Sequence, residues 1–322
     1  MDNKSEILQV QTLSEITDYG EEDKIGYDVS CNLGSINITR VMESKNIEDS
    51  VKTAMDMLTS VSKMTSIKNA PGVRKANDEI HSVGLGVLDL NGFLAKNKIM
   101  YESDEAKDFA NTFFMMMNFY SLKRSMEISR ETGETFKGFE LSDYADGLYF
   151  QKYINNDYAP IMDKVKSLFE GIHIPTKEDW VHLSFNVMKY GIYHGYRLTI
   201  PPTASISYLA NTTPAVMPIN DKIERRMYGD SITHFPAPYL SKETNWYYKS
   251  AYDIDTYKLL DLMAIIQEHI DQGISTTLFV NEGESTKEIA KKFIYAHKIG
   301  LKTLYYARVR NNTVETCISC DA

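Results

Sequence analysis

The chain has 322 residues, 43% of them apolar, and a formal charge of −9 at pH 7. That length holds one large domain or two ordinary ones around a sizeable core, and the acidic balance excludes a general nucleic-acid or membrane-surface binder. No run of about 18 apolar residues offers a membrane span, residues 1–6 lack an apolar signal region, and three cysteines do not make a secreted disulfide framework, so a soluble protein of a reducing compartment is expected.

In chain order, residues 1–28 begin abruptly, and Gly20-Glu21-Glu22-Asp23-Lys24 reads as an acidic loop. Residues 29–38 read as a buried strand interrupted by Gly34. Over 50–64, Val51, Ala54, Met55, Leu58 and Val61 recur at helical spacing. Ala70-Pro71-Gly72 marks a turn, and 80–94 is apolar and glycine-rich. Ser103 caps a long helical pattern running toward Gly133, with Phe109, Phe113, Met117 and Tyr120 on one face; the Met115-Met116-Met117 run fills core. Residues 136–180 are rich in Tyr, Asp and Gly, show no period, and read as a surface insertion.

A β-prone run, Tyr196-Arg197-Leu198-Thr199-Ile200, ends at Pro201-Pro202, because proline cannot donate to a ladder. Thr203, Ser205 and Ser207 follow, alternating with small or apolar residues. Such a turn can aim backbone N–H groups and hydroxyls at an anion; an ordinary Ser/Thr-rich connection is the alternative. Glu224-Arg225-Arg226 and the aromatic stretch 235–257 form a second irregular excursion, in which Arg225 and Arg226 read as a solvated pair or as groups able to approach a phosphate. Leu259, Leu260, Met263, Ile266 and Ile270 line a helix that ends at Gly273. A strand at 275–280, a helix at 286–299 and a strand at 304–309 complete a strand–helix–strand unit, which implies parallel pairing and an α/β fold. Two residues from the end, Cys317-Ile318-Ser319-Cys320 follows a polar stretch; a Cys-x-x-Cys pair on a mobile tail suits reversible disulfide chemistry, whereas half a zinc site or an inert pair is the bland alternative.

Several of these stretches together resemble the large subunit of class I ribonucleotide reductase, class Ib branch. They are Ser5-Glu6-Ile7-Leu8-Gln9-Val10, Ser30-Cys31-Asn32-Leu33-Gly34-Ser35-Ile36-Asn37-Ile38, Gly84-Leu85-Gly86, Thr135-Phe136-Lys137-Gly138-Phe139-Glu140, Pro202-Thr203-Ala204-Ser205-Ile206-Ser207 with Met217-Pro218, Asp271-Gln272-Gly273, Lys302-Thr303-Leu304-Tyr305-Tyr306 and Cys317-Ile318-Ser319-Cys320. The resemblance covers the C-terminal half, or a little less, of that subunit. It implies the second half of a ten-stranded α/β barrel over 1–310, five parallel strands with crossover helices and irregular insertions, followed by a flexible redox-active tail over 311–322. A half-barrel leaves open edges, so a polypeptide carrying the first half is expected as partner.

The same resemblance implies reduction of ribonucleoside diphosphates to deoxyribonucleoside diphosphates by radical chemistry, serving DNA replication. Glu6 matches the base for the ribose 3′-hydroxyl. Cys31 matches one of the two thiols that reduce the substrate, although a buried structural thiol is the bland reading. Tyr305 and Tyr306 match a tyrosine pair that relays the radical, although tyrosine is also common in strands and adjacent strand residues point to opposite faces. Cys317 and Cys320 match the dithiol that re-reduces the active site. Pro202, Thr203, Ala204, Ser205, Ile206 and Ser207 match the substrate-diphosphate segment. Lys4 stands where the radical cysteine belongs and Asp2 where an asparagine belongs, and an ammonium has no S–H bond from which to form a thiyl. Either a separate N-terminal chain supplies that cysteine, or this chain is an inactive remnant or partner-binding fragment. No metal is expected in the chain itself. Expected partners are a radical-generating small subunit with its own metal-linked or other radical cofactor, and a thioredoxin- or glutaredoxin-like reductant. The expected location is the cytoplasm, a bacterial host's if the gene is a phage's.

Overall fold

The computed structural model describes residues 26–28, 30–228 and 231–310. In order these form β1 (Leu33–Asn37), α1 (Ile38–Ser44), α2 (Ile47–Met64), α3 (Pro71–Glu79), β2 (Gly84–Leu88), α4 (Leu90–Lys96), α5 (Asp104–Thr132), α6 (Gln151–Asn155), α7 (Asp163–Leu168), α8 (Lys177–Tyr190), α9 (Ala204–Ala210), β3 (Ile223–Tyr228), β4 (Ser231–Pro236), α10 (Thr256–Gln267), β5 (Thr277–Val280), α11 (Thr286–Lys298) and β6 (Tyr306–Val309). The fold is mixed α/β with parallel pairing, as expected; among the described residues the strands pair two by two, β1 with β2, β3 with β4 and β5 with β6. The chain divides into two compact units. One holds the chain up to Val87, Asn111–Pro201 and His269–Gln272; the other holds Leu88–Ala110, Pro202–Glu268 and the chain from Gly273 on.

In the first unit, β1 starts later than the sequence suggests and is mostly half-buried, with Ile36 buried and Leu33 exposed, and Ile38 already opens α1. Asn37 makes that boundary, because its side-chain oxygen accepts the Arg40 N–H at the helix start. The expected turn at Ala70-Pro71-Gly72 begins α3, where Pro71 brings a φ already set for the first helical turn. The helix expected over 50–64 lies within α2 and buries Val51, Met55 and Leu58, while Val61 is exposed. β2 is buried throughout. Leu85 N–H donates to Arg197 O, and Leu85 O accepts from Thr199 N–H, so isolated bridging, including a parallel bridge between Leu85 and Leu198, replaces the continuous strand expected at 196–200. A Cβ on Gly86 would collide with the Thr199 carbonyl, so this close approach requires glycine.

From Asn111 on, α5 is buried round most of its circumference, with Phe113, Phe114, Met115, Met116, Met117 and Leu122 at most 1% exposed. Each such side chain contributes about 1.5–3 kcal/mol on leaving water. The stretch 136–180 packs against this helix and is not a surface insertion. Tyr153 stacks on Trp180 with centroids 4.0 Å apart, Phe119 meets the same indole edge-on at 4.9 Å, and Tyr144, Phe150, Val165 and Phe169 are buried. Aromatic residues without a period still build a core when short helices and turns present them from several directions. The start of α8 carries a capping box: Asp179 N–H donates to Thr176 Oγ1 at 3.2 Å, and Thr176 N–H donates to Asp179 Oδ2 at 2.9 Å.

Arg197 is fully buried beside these aromatics. Its Nη1 donates to Ser121 Oγ at 2.7 Å, both Nη atoms reach Asn118 Oδ1 at 3.2 Å, and Nη2 lies 3.4 Å from Asp271 Oδ2. Asp271 in turn accepts the Arg197 and Leu198 backbone N–H groups at 3.0 and 2.8 Å. This explains why α10 stops at Gln267 and not at Gly273: residues 269–272 leave the helix to join this network.

In the second unit, β5 and β6 pair in parallel, with Thr277 opposite Tyr306 and Val280 opposite Val309, and α11 forms the crossover. The stretch expected to be irregular after 223 begins as an antiparallel hairpin, β3 with β4, in which Ile223 faces Pro236 and Tyr228 faces Ser231. Ala95, Ile219, Ala237 and Tyr248 form a core cluster, with Leu240 and Tyr247 against it. Among the described residues no helix is long and apolar enough to cross a membrane.

Replacing Arg197 with alanine strands a buried carboxylate, so a loss of about 3–5 kcal/mol is expected in denaturant unfolding. Thr176→Ala removes one half of the capping box, and the same measurement should show a loss of about 1 kcal/mol.

Candidate active site

The segment 202–207 is not a loop: Thr203 sits at the N-cap of α9, and Ala204 to Ser207 form its first turn. Two of its three hydroxyls work inside the fold. Thr203 Oγ1 accepts the Ala215 N–H at 2.7 Å, and Ser207 Oγ donates to Ala204 O at 2.7 Å. Thr203 and Ser207 are buried, while Pro202, Ala204, Ser205 and Ile206 are exposed. The Ser207 N–H donates to Thr203 O at 2.9 Å, which leaves the N–H groups of Ala204, Ser205 and Ile206 without an intrahelical acceptor, so the helix offers backbone dipoles to an anion more readily than it offers hydroxyls.

The segment after α9 is pinned by the start of α4. Buried Asp89 accepts Thr213 N–H on Oδ1 at 2.9 Å, and Asp89 N–H donates to Thr213 O at 2.9 Å. Gly92 N–H donates to Thr213 Oγ1, Ile219 N–H to Asn91 Oδ1, and Tyr101 Oη to Val216 O at 2.7 Å. The result is one wall of a cavity of about 440 Å³, a size suited to a small ligand. Pro202, Thr203, Ala204 and Ser207 line it; Ser205 and Ile206 do not. The opposite lining comes from the hairpin (Glu224, Arg226, Phe235) and from the parallel pair (Thr277, Phe279, Tyr306, Arg308).

Tyr306 therefore shares a cavity with the segment expected to hold a diphosphate. Tyr305 and Tyr306 touch edge to face, with centroids 4.4 Å apart and planes at 87°. Alternation along a strand would separate them, but Tyr305 precedes β6, and both backbone N–H groups donate to Thr276 O, at 2.9 and 3.3 Å. Two residues opposite one carbonyl break the alternation, as in a bulge. Desolvation and a side-chain hydrogen bond with Tyr305 hold the Tyr306 phenol above its ordinary value. Both rings are about half exposed.

Cys31 belongs to the first unit and is exposed, which removes the reading of a buried structural thiol. It lines a smaller cavity of about 140 Å³ with Tyr27, Ser30, Asn77, Tyr196 and Gln272. Tyr27 donates to Glu79, and Lys137 Nζ donates to Tyr27 Oη at 2.5 Å and to Glu79 Oε2 at 2.7 Å. Burial, then the bond to Glu79, raises the Tyr27 phenol; burial acts to raise the Glu79 carboxyl, but Lys137 and Tyr27 outweigh it and hold it low. Glu6, Cys317 and Cys320, with Asp2 and Lys4, lie outside the described residues. Among the described residues no group of three His, Cys, Asp or Glu side chains is arranged to hold a metal ion.

Sequence reasoning missed Tyr208, Glu224 and Arg308 as cavity residues, and left Arg226 open between a solvated group and one able to approach a phosphate. For the hairpin a signal existed: Ile223 to Tyr228 ends at Gly229-Asp230, a turn pair, and strand alternation places 224 and 226 on one face with 225 on the other. Arg225 is accordingly exposed and absent from the lining, while Arg226 is half-buried within it.

A family model described as ribonucleotide reductase, barrel domain, matches residues 5–307. The chain is 54% identical over 316 residues to the ribonucleoside-diphosphate reductase subunit alpha of Bacillus subtilis, covering 98% of this chain and 45% of that protein. It is also 54% identical over 318 residues to the ribonucleoside-diphosphate reductase nrdEB subunit alpha of Bacillus phage SPbeta, covering 99% of this chain and 29% of that protein. Identity to the corresponding subunit alpha of Mycoplasma pneumoniae is 40%, over 97% of this chain and 44% of that protein. The chain thus spans less than half the length of these curated relatives. With the barrel-domain match running through the cavity wall and the tyrosine pair, the chain belongs to the ribonucleotide reductase family and corresponds to the C-terminal part of its class I alpha subunits.

Proposed function

We propose that the chain provides the substrate-phosphate and radical-relay part of a class Ib-like ribonucleoside-diphosphate reductase. The observation that carries this reading is the single cavity lined by Pro202, Thr203, Ala204 and Ser207 on one side and by Tyr306 on another. The α9 amides hold the diphosphate, and the touching Tyr305–Tyr306 pair carries the oxidising equivalent toward the ribose. A radical-bearing small subunit supplies that equivalent. The cysteine that abstracts the 3′-hydrogen comes from a polypeptide bearing the N-terminal part of the alpha subunit, since Lys4 stands at its position. Glu6 takes the 3′-hydroxyl proton.

Reduction then balances as one ribonucleoside diphosphate plus two thiols giving one deoxyribonucleoside diphosphate, water and a disulfide. Cys31 is one of the two thiols, and its exposure on a cavity supports a thiol that turns over. Cys317 and Cys320 return the disulfide to dithiol by exchange and are themselves reduced by a thioredoxin- or glutaredoxin-like donor.

In an assembly of this chain with an N-terminal alpha-subunit polypeptide, a radical subunit and dithiothreitol, CDP should be reduced, whereas this chain alone should be silent. A folded mixture with an intact radical and no turnover would instead favour an inactive, partner-binding role. In the active assembly Tyr305→Phe should lower turnover to below about 1% of wild type while leaving the thermal melt unchanged. Nucleoside diphosphates should be preferred to triphosphates by about tenfold or more in kcat/KM; the reverse preference would remove the phosphate assignment.

A further inference from the structure

Glu224 and Arg226 take no part in the chemistry above, yet both line its cavity. They project from the same face of β3 toward α9. Tyr208 Oη donates to Glu224 Oε2 at 2.5 Å, and Arg226 donates from Nε and Nη2 to Glu224 Oε1, each at 3.1 Å. The guanidinium carbon lies 3.9 Å from the centroid of the Tyr208 ring, and Phe235, opposite Glu224 in the hairpin, packs edge-on to that ring at 5.3 Å. Each member of the triad touches the other two. The ion pair is about one-third exposed on both sides, so solvent screens most of its Coulombic worth. What remains is geometry: a planar fork, a carboxylate and a ring fix one another's orientation.

α9 needs such a fastening. It has seven residues, too few to hold a shape alone, and Ala204, Ser205, Ile206, Leu209 and Ala210 face solvent. Its start is tied by Thr203 to Ala215; further along, Tyr208 ties it to the hairpin. We infer that Glu224 and Arg226 are positioning residues for the substrate's phosphates: through Tyr208 they set the angle at which the first-turn amides of α9 face the cavity. This rests on the reading of residues 202–207 as the diphosphate segment. Because Glu224 neutralises Arg226, the triad acts by orientation and adds no net charge to the site.

The test is CDP reduction kinetics in the reconstituted assembly, with equilibrium dialysis of CDP and a thermal melt for each variant. Glu224→Ala and Arg226→Ala should raise KM and Kd for CDP about tenfold, and Tyr208→Phe about threefold, with kcat within about twofold of wild type. Glu224→Gln keeps an acceptor for Tyr208 and should recover part of the loss. Arg226→Lys keeps the charge but not the fork and should stay as weak as the alanine variant. Melting temperatures should move little, because the Glu224–Arg226 pair is about one-third exposed and screened by solvent. Unchanged KM and Kd in Glu224→Ala and Tyr208→Phe, with wild type binding CDP, would overturn the positioning role and leave the reductase reading intact. Tyr208→Phe removes a single oxygen, so its result stands even if an alanine variant misfolds. Full recovery by Arg226→Lys would also overturn the role, since charge and not orientation would then be at work. A wild-type assembly that does not bind CDP would remove the phosphate reading together with this one.

Discussion

The cavity wall depends on one buried carboxylate. Asp89 sits in left-handed backbone, with φ 79°, directly after β2, and its side chain is fully removed from solvent. Aspartate tolerates that conformation better than most residues, and here its oxygens are satisfied by Thr213 N–H and the Tyr239 hydroxyl. Gly92 is glycine because a Cβ there would collide with the same carboxylate. The segment after α9 is thereby held against the start of α4 through backbone groups, which cannot shift as a rotamer can. An unpaired buried carboxylate is costly, so the energetic requirement to satisfy Asp89 is also what sets the wall in place.

Around that anchor, polar groups divide between holding the fold and meeting a ligand. The hydroxyls of Thr203, Ser207 and Thr213 are turned to backbone partners. What α9 turns outward is its uncapped first turn. Amide dipoles at a helix start carry no mobile charge and are already oriented by the fold. The tyrosine pair follows the same economy, because its contact comes from a break in strand alternation at Thr276 and not from a separate supporting element.

Much of this was legible in the residues. Apolar spacing marked α2 and α5, the strand–helix–strand ending gave the parallel β5–β6 pair, and family-like motifs pointed to residues 202–207 and to Tyr306, both represented in the lining of one cavity. The failures share a cause. The aromatic stretch 136–180 was read as surface because it lacks a period, yet its rings form a core wall around Trp180. Periodicity reports burial only when a single element faces a single core, and short helices meeting at angles leave no such trace. The hairpin was missed because β4 is largely exposed and the half-buried face of β3 carries Glu224 and Arg226 where such a strand usually carries apolar residues.

The sequence by itself determined the family, the α/β class and the chemistry available, because those reside in residue identity and order: a tyrosine pair, a small-residue segment after a strand, a Cys-x-x-Cys tail. Tertiary structure alone decided which groups share a cavity. That Tyr306, Arg226 and α9 line one volume depends on the register of β6 against β5, on the hairpin face turned to Tyr208, and on Asp89 holding residues more than 120 positions away. Contacts between segments so far apart are set by packing and hydrogen-bond satisfaction across the fold, and no local pattern encodes them.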